Sequence, residues 1–408
     1  VFKQKTAYDL SLGLVGSEMC IRDREYLVDS LQELARIPTD VPMGLDTFIE
    51  PDDPKLVYYV QEVLRPKIES LQVSSVVDIP RNQLLLEIGD GDSRPSLLVM
   101  VYTPTQHHNL MVNPFSGAIA DGSKWGFNEP CLFGQGVGQN KSHQAIMLSV
   151  LKWIKDYDVK LAGKLLFAVN NEGRSSHACS NALLGAINGR PDFGILMTRT
   201  GKAISLGNRG RVDVNVEIEG KSSHSSVPHM GHSAIEGANR VLDLLKKVPL
   251  GDSDPLLGRR HVVPYQLSFE PLAPHTLPSL ARLRIDRRLL PGDQPEEAAN
   301  DIRESIGELD NYQVTVTTGE YMLPALCDPY HLGVESLMQS HRQIMGVEPD
   351  TFYGQGTFDA GGPAALGVPT VMYGVGGGDW PLGDDFVPIS HLVEVAKVMA
   401  HTIVSMLG

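Results

Sequence analysis

Among the residues able to move a proton, Glu172 has the most suggestive surroundings. It lies in Asn170-Asn171-Glu172-Gly173-Arg174-Ser175-Ser176-His177, a polar stretch that follows the expected strand Lys164–Val169. A carboxylate in such a turn can accept or donate a proton, a neighbouring Arg174 would lower its pKa and keep it charged, and His177 stands close in sequence. The same stretch also reads as a plain strand-to-helix turn in which Ser175 or Ser176 caps the next helix. A second polar turn, Tyr102-Thr103-Pro104-Thr105, ends the apolar run Leu97–Val101. Open α/β sheets place their chemistry at such carboxyl ends of strands. Cys179, two residues after His177 on one short helix, points away from it and reads as packing. Gly134, Gly136 and Gly138 form GxGxG, a weak phosphate-loop signal without its flanking pattern.

The elements that position these residues follow from apolar periodicity. Tyr26, Leu27, Leu31, Leu34 and Ala35 recur at helical spacing before Pro38. A second helix is expected near Pro54–Leu71, strands near Gln83–Ile88 and Ser96–Tyr102, and a long loop over Asn113–Gly138. A helix near Lys141–Tyr157, strand Lys164–Val169, helix Cys179–Ile187 and strand Phe193–Met197 continue the alternation. Strands with continuous apolar runs between helices predict an α/β fold, a mixed and mostly parallel sheet with helices on both faces. The middle differs: Val212, Val214, Val216 and Ile218 alternate with polar residues, as in a half-buried strand. Helix Ser233–Lys247, strands His261–Leu267 and Ala281–Arg287, helix Pro295–Leu309 and strand Tyr312–Thr317 complete a β-α-β-β-α-β order, that of a ferredoxin-like unit. The α/β pattern resumes with helix Leu332–Met345, a last strand Val368–Tyr373 and a final helix Ile389–Met406.

The bulk numbers narrow the class. With 408 residues the chain exceeds the ~250–300 at which one core stops growing, so two domains are expected. A net charge of -14 argues against nucleic acid or anionic membrane as partner. No apolar run approaches the ~20 residues of a membrane helix. Cys131, Cys179 and Cys327, widely spaced and without CxxC, indicate neither a disulfide framework nor a thiolate zinc site, which suits a cytoplasmic setting. Residues 1–24 lack an amphipathic period and make no good signal peptide. They resemble translated sequencing-adapter read-through from environmental DNA and are expected to be non-native, with a native amphipathic extension as the alternative.

From Glu25 onward the chain is similar to the family of zinc amidohydrolases and peptidases that includes acetylornithine deacetylase, succinyl-diaminopimelate desuccinylase, aminoacylase and carboxypeptidase G. The resemblance rests on NPFSGAIADG (113–122) before GQGVGQNK (134–141), on NRGRVDVNVEIEGKSSHSSVPHMGHSAI (208–235), on DRRLLPGD (286–293), and on TFDAGG (357–362) before GVPTVMYGVG (367–376). It implies a catalytic-type α/β domain over 25–208 and 319–408, and an inserted lid over 209–318 that makes a homodimer. In that family two zinc ions, bridged by an aspartate and a water, lower the pKa of the water and polarise the amide while a glutamate collects the proton.

Carried over by position, the ligands are mostly replaced. The family's His-x-Asp falls on Tyr102-Thr103-Pro104, its bridging aspartate on Gln139, its next carboxylate on Thr198, and its last histidine near Pro381, with Asp379, Asp384 and Asp385 close by. Its Glu-Glu pair falls on Asn171-Glu172 or Glu172-Gly173. A dinuclear zinc site is therefore not expected. Tyr102, Gln139 and Asn171 become candidate substrate-binding residues. The resemblance explains the three glycines as the turn that brings residue 139 to the site. Lys141 matches a family lysine, either structural or a source of positive charge near Gln139 and Tyr102. His224 matches the lid histidine that stabilises an oxyanion in the partner's site. Arg288 matches an arginine that holds a substrate carboxylate, and His275 replaces a neighbouring asparagine. Asp359 falls near the site, with helix capping as its plain role. His107, His108 and His143 would be the ligands of a relocated metal.

Three functions stay open. The first is a metal-independent amidohydrolase or deacylase acting on a small N-acyl amino acid or peptide, with Glu172 as base and His224 and Lys141 or Arg174 on the oxyanion. The second is a non-catalytic protein binding a small carboxylate ligand. The third is a metal hydrolase with a rebuilt site.

Overall fold

Buried strands flanked by helices on two sides are what the apolar runs become. The computed structural model describes residues 21–42, 49–89, 95–106, 111–173, 176–378 and 383–408. Its central sheet runs in the order β1 (Val76–Ile79), β2 (Gln83–Ile88), β6 (Lys164–Asn170), β3 (Ser96–Tyr102), β7 (Phe193–Met197), β15 (Thr370–Tyr373), β8 (Ile204–Asn208) and β13 (Ala325–Leu326), with β14 (Thr351–Gly354) also paired to β8. The centre, β6-β3-β7-β15, is parallel, and antiparallel strands flank it. Along β3 the side chains alternate between two cores: Leu97, Val99 and Val101 face one, and Leu98, Met100 and Tyr102 the other. A strand covered on both faces needs apolar residues at every position, which is why its sequence shows no alternation.

The first core is built with α1 (Ile21–Ala35), α3 (Ser142–Asp156), α7 (Leu332–Met345) and α9 (Ile389–Leu407). Segments Pro54–Val57, Tyr58–Leu64 and Arg65–Ser70 follow one another as a single helix, α2, whose middle is a π turn. The second core is closed by α4 (Ala178–Ala186) and the short α8 (Gly361–Ala365). Of segment 1–24, the structure describes the part from Ile21, where α1 begins.

The expected strands are incomplete, since β1, β8, β13 and β14 of the central sheet are not among them, and one loop also needs correction. The stretch 113–138, expected as a loop, contains β4 (Ala118–Asp121) and β5 (Pro130–Phe133). β5 pairs with β4 on one side and on the other with β16 (Phe386–Pro388), which follows the strand expected to be the last. Each has at most four residues, and β4 is exposed throughout, so no apolar period marks them. A small cluster of Met111, Cys131, Phe133 and Phe386 with Trp125 and Phe127 holds this sheet instead.

The inserted unit has its own core. Strands β10 (Val262–Glu270), β11 (Leu280–Leu289), β9 (Gly210–Glu219) and β12 (Gln313–Met322) lie antiparallel in that order, packed with α5 (Ala234–Leu245) and α6 (Pro295–Ile306). The alternating Val212, Val214, Val216 and Ile218 are fully buried, each contributing ~1.5–3 kcal/mol of apolar transfer. Edge strand β10 leaves Val263, Tyr265, Leu267 and Phe269 exposed. Among the described residues no helix is long and apolar enough to cross a membrane.

Candidate active site

Parallel strands β6, β3 and β7 end side by side, and the turns after them line one cleft of about 440 Å³. Tyr102 comes from the end of β3, Glu172 and Gly173 from the turn after β6, and Thr198 and Arg199 from the turn after β7. Gln139 and Asn140 come from the π turn Val137–Lys141, Arg211 and Met322 from β9 and β12, and Thr357, Phe358 and Asp359 from the segment before α8. Asp385 closes the wall.

On the floor of this cleft two acidic groups meet. One carboxylate oxygen each from Glu172 and Asp359, and a ring nitrogen of His177, lie within 4.8 Å of one another, and all three residues are buried. Glu172 Oε2 accepts the Ser180 N–H at 3.0 Å and the Ser180 hydroxyl at 3.2 Å, so it serves the N-terminal turn of α4. Asp359 Oδ1 has no partner among the described residues, and its side chain does not cap α8. Burial and the Glu172 charge push the Asp359 carboxyl up to about 8, and Tyr102 and Arg211 pull it partway back. Burial likewise raises the Tyr102 phenol well above its ordinary value. Arg211 Nε and Asn140 Oδ1 are also buried without a hydrogen-bond partner, and the Tyr102 hydroxyl faces the Asp359 carboxyl. Unsatisfied polar atoms of Asp359, Arg211 and Asn140 around one cleft indicate that something polar is received there.

The residues singled out in the sequence divide between this cleft and elsewhere. Glu172, Tyr102 and Gln139 line it, with Gln139 Oε1 accepting the Gln106 N–H at 3.2 Å. His177 stands behind Glu172. Arg174 and Ser175 lie outside the described residues, as do His107, His108, Asp379 and Pro381. Ser176 accepts the Tyr321 N–H and leaves α4 without a side-chain cap. Cys179 is buried, as expected for packing.

Several expectations are corrected. Asn171 does not face the cleft: it accepts the Thr103 hydroxyl and donates to the Arg81 and Asn82 carbonyls, which consumes its amide in holding the turn. Lys141 reaches the other way, donating to the Ile37 carbonyl at 2.6 Å between the rings of Tyr59 and Phe115, and its burial pulls the ammonium down to about 7. It supplies no charge to Gln139 or Tyr102. Within one protomer His224, His275 and Arg288 do not line the cleft. His224 is exposed, its ring 6.1 Å from that of His275, and Arg288 pairs with Asp286 at 2.8 Å.

The sequence reading also passed over Arg199 and Arg211, and gave Asp385 no role. Arg199 follows Thr198, and a charged residue directly after a buried strand was the available signal. Asp385 accepts the N–H groups of Gly136 at 2.7 Å and Gly138 at 3.0 Å, and burial lifts its carboxyl to about 6. Those amides are therefore spent on a carboxylate of the chain itself, which removes the phosphate-loop reading. Gly138 is required here, because a Cβ would stand 2.7 Å from Asp385 Oδ1. Gly136 takes φ +81° and would drive a Cβ into Thr105.

Zinc needs about four nitrogen or oxygen ligands at ~2.0–2.2 Å, each offering a lone pair. Tyr102, Gln139 and Thr198 present a phenol, an amide and a hydroxyl. Among the described residues the Glu172, His177 and Asp359 group alone has a spacing that could hold an ion. His177 Nε2 accepts the Leu323 N–H at 2.7 Å, so in the neutral ring the proton sits on Nδ1 and neither nitrogen has a lone pair to give. His143 is committed in the same way, donating from Nδ1 to the Gln139 carbonyl at 2.9 Å and accepting the Val375 N–H on Nε2 at 3.2 Å. Burial holds it neutral, down at about 3. Two carboxylates remain, one already engaged by Ser180, and that set does not fit a dinuclear zinc centre.

Comparisons with known proteins agree with the architecture. Residues 206–312 match the M20 family described as a peptidase dimerisation domain. The chain is 23% identical over 351 residues to the uncharacterized protein YgeY of Escherichia coli K12, covering 80% of this chain and 82% of that one. It is 24% identical over 251 residues to succinyl-diaminopimelate desuccinylase of Sulfurimonas denitrificans, covering 60% and 67%. The M20 family metallo-carboxypeptidase Sso-CP2 from Sulfolobus solfataricus superposes with a TM-score of 0.72 over 93% of this chain and 98% of its own, at 15% identity.

Proposed function

We propose that this chain, an M20-type protein by its dimerisation-domain match and its two-domain fold, hydrolyses the C–N bond of a small N-acyl amino acid or peptide without a dinuclear zinc centre. The observation that supports the reading is the cleft itself, where buried Glu172 stands at the carboxyl ends of the parallel strands beside Tyr102, Gln139 and Thr198, the residues that the sequence resemblance sets at the family's metal-ligand positions. Glu172 takes a proton from water, and the water oxygen attacks the acyl carbon. Arg199 and Arg211 place two permanent positive charges in the same cleft, where guanidinium forks suit a substrate carboxylate or the developing oxyanion. The desuccinylase relative removes an acyl group from an amino acid derivative, which supports the same substrate class. A homodimer through the lid is part of the proposal, since the apolar edge of β10 offers the surface and His224 of one protomer would then serve the cleft of the other.

The test is release of free amine from a panel of N-acetyl and N-succinyl amino acids and dipeptides. Wild type is expected to turn over at least one class, and Glu172→Gln to lose at least ~100-fold in kcat while remaining folded by circular dichroism. Full activity in Glu172→Gln would refute Glu172 as the base. A wild type that binds these compounds and hydrolyses none would leave a ligand-binding protein.

A further inference from the structure

We infer that Glu172 and Asp359 form a carboxyl pair holding one proton between them, Glu172 acting as the base and Asp359 as the acid of the reaction. The inference rests on the hydrolase reading above. Its geometry is independent of that reading: both side chains are buried, their oxygens lie within 4.8 Å, and both line one cleft. Like charges so close and so poorly solvated cannot both be ionised at neutral pH.

Burial and the Glu172 charge place the proton on Asp359. Glu172 accepts two hydrogen bonds from Ser180 in the N-terminal turn of α4, at 3.0 and 3.2 Å. Among the described residues Asp359 meets only the Tyr102 hydroxyl, whose hydrogen bond lowers its carboxyl less than burial and the Glu172 charge raise it. The groups facing the pair are Tyr102 from β3, Arg211 from β9 and His177 before α4, with Arg81 acting on Glu172 from the turn between β1 and β2. Tyr102 carries no charge, because its phenol is raised well above its ordinary value. His177 is pushed toward neutrality by burial, against the pull of Glu172. Arg211 partly offsets the negative field on Asp359 without removing it, and the Asp359 carboxyl stands at about 8.

The resulting steps balance. Glu172 takes a proton from water as the water oxygen bonds to the amide carbon, and Asp359 gives its proton to the carbonyl oxygen, leaving a neutral diol. One diol hydroxyl then returns its proton to Asp359, the C–N electron pair moves to nitrogen, and nitrogen takes the proton held by Glu172. One water is consumed, a carboxylic acid and an amine leave, and both carboxyls regain their starting states.

A base that must be charged and an acid that must be protonated give turnover that falls as pH rises through about 8, where Asp359 ionises. The test is an infrared difference titration of the full-length folded protein, following the C=O stretch of a protonated carboxyl. Wild type is expected to show this band at neutral pH and lose it near pH 8. The band should be absent from Asp359→Asn and should titrate at lower pH in Glu172→Gln, which removes the neighbouring charge. No band in wild type at neutral pH, or the same band in Asp359→Asn, overturns the pair. If Asp359→Asn does not fold, an unshifted midpoint in Glu172→Gln overturns it instead. On N-acetyl amino acids, Asp359→Asn is expected to lose the alkaline fall along with most of its rate. Hydrolysis without the band would overturn the pair and spare the hydrolase reading, whereas the band without hydrolysis would overturn that reading and the acid and base roles with it.

Discussion

The carboxylate of Glu172 binds the first turn of α4 through Ser180 and also faces the cleft, so substitution there touches both structure and chemistry. Lys141 separates the two cleanly in the opposite sense. Its match to a family lysine suggested a charge for the reaction, but its ammonium is wrapped by Tyr59, Phe115 and the Ile37 carbonyl. Lys141→Met, of similar length, is expected to keep kcat/KM within about twofold and to show its effect in the melting temperature instead. A loss of about tenfold or more in kcat/KM on the same substrate, with the fold intact, would mean that the ammonium acts at the cleft. At this scale the sequence was partly legible. The position of Glu172 after a buried strand could be read from polarity alone, because strands end in polar turns at the edge of a sheet. The direction in which Asn171 and Lys141 point could not. That depends on partners from residues 37, 81, 82 and 103, brought together only by the fold.

Elements were read best where burial imposes a period. The valines of β9 alternate because one face meets α5 and α6, and the central strands run apolar because both faces are covered. Strands β4, β5 and β16 escaped because they are too short for a period and are held by a cluster of aromatic residues distant in sequence. The edge strand β10 makes a prediction at this scale. Its exposed Val263, Tyr265, Leu267 and Phe269 form a row of apolar side chains along an unpaired edge, which proteins normally cover. If the lid dimerises, Leu267→Arg should lower the mass in light scattering from twice to once the 44.5 kDa of the chain. An unchanged dimer mass would place the interface elsewhere, and a wild-type monomer would remove the partner subunit from the account of His224.

Across the whole molecule, the architecture and the donor set point in different directions. The inserted unit matches the M20 peptidase dimerisation domain, and the whole fold superposes on an M20 metallo-carboxypeptidase. Among the described residues the cleft holds two arginines, the carboxyls of Glu172, Asp359 and Asp385 and neutral hydrogen-bonding side chains, while His143 and His177 are committed to backbone groups. A fold conserves its packing through many small apolar contacts, whereas a metal centre depends on a few ligands that can be exchanged without disturbing the core. The most direct measurement is elemental analysis of protein purified without chelator, joined to turnover of N-acyl amino acids by the same sample before and after chelation. The account predicts far less than one zinc per chain and turnover unchanged by chelator. Close to two zinc per chain, with turnover lost on their removal and restored on their return, would contradict it.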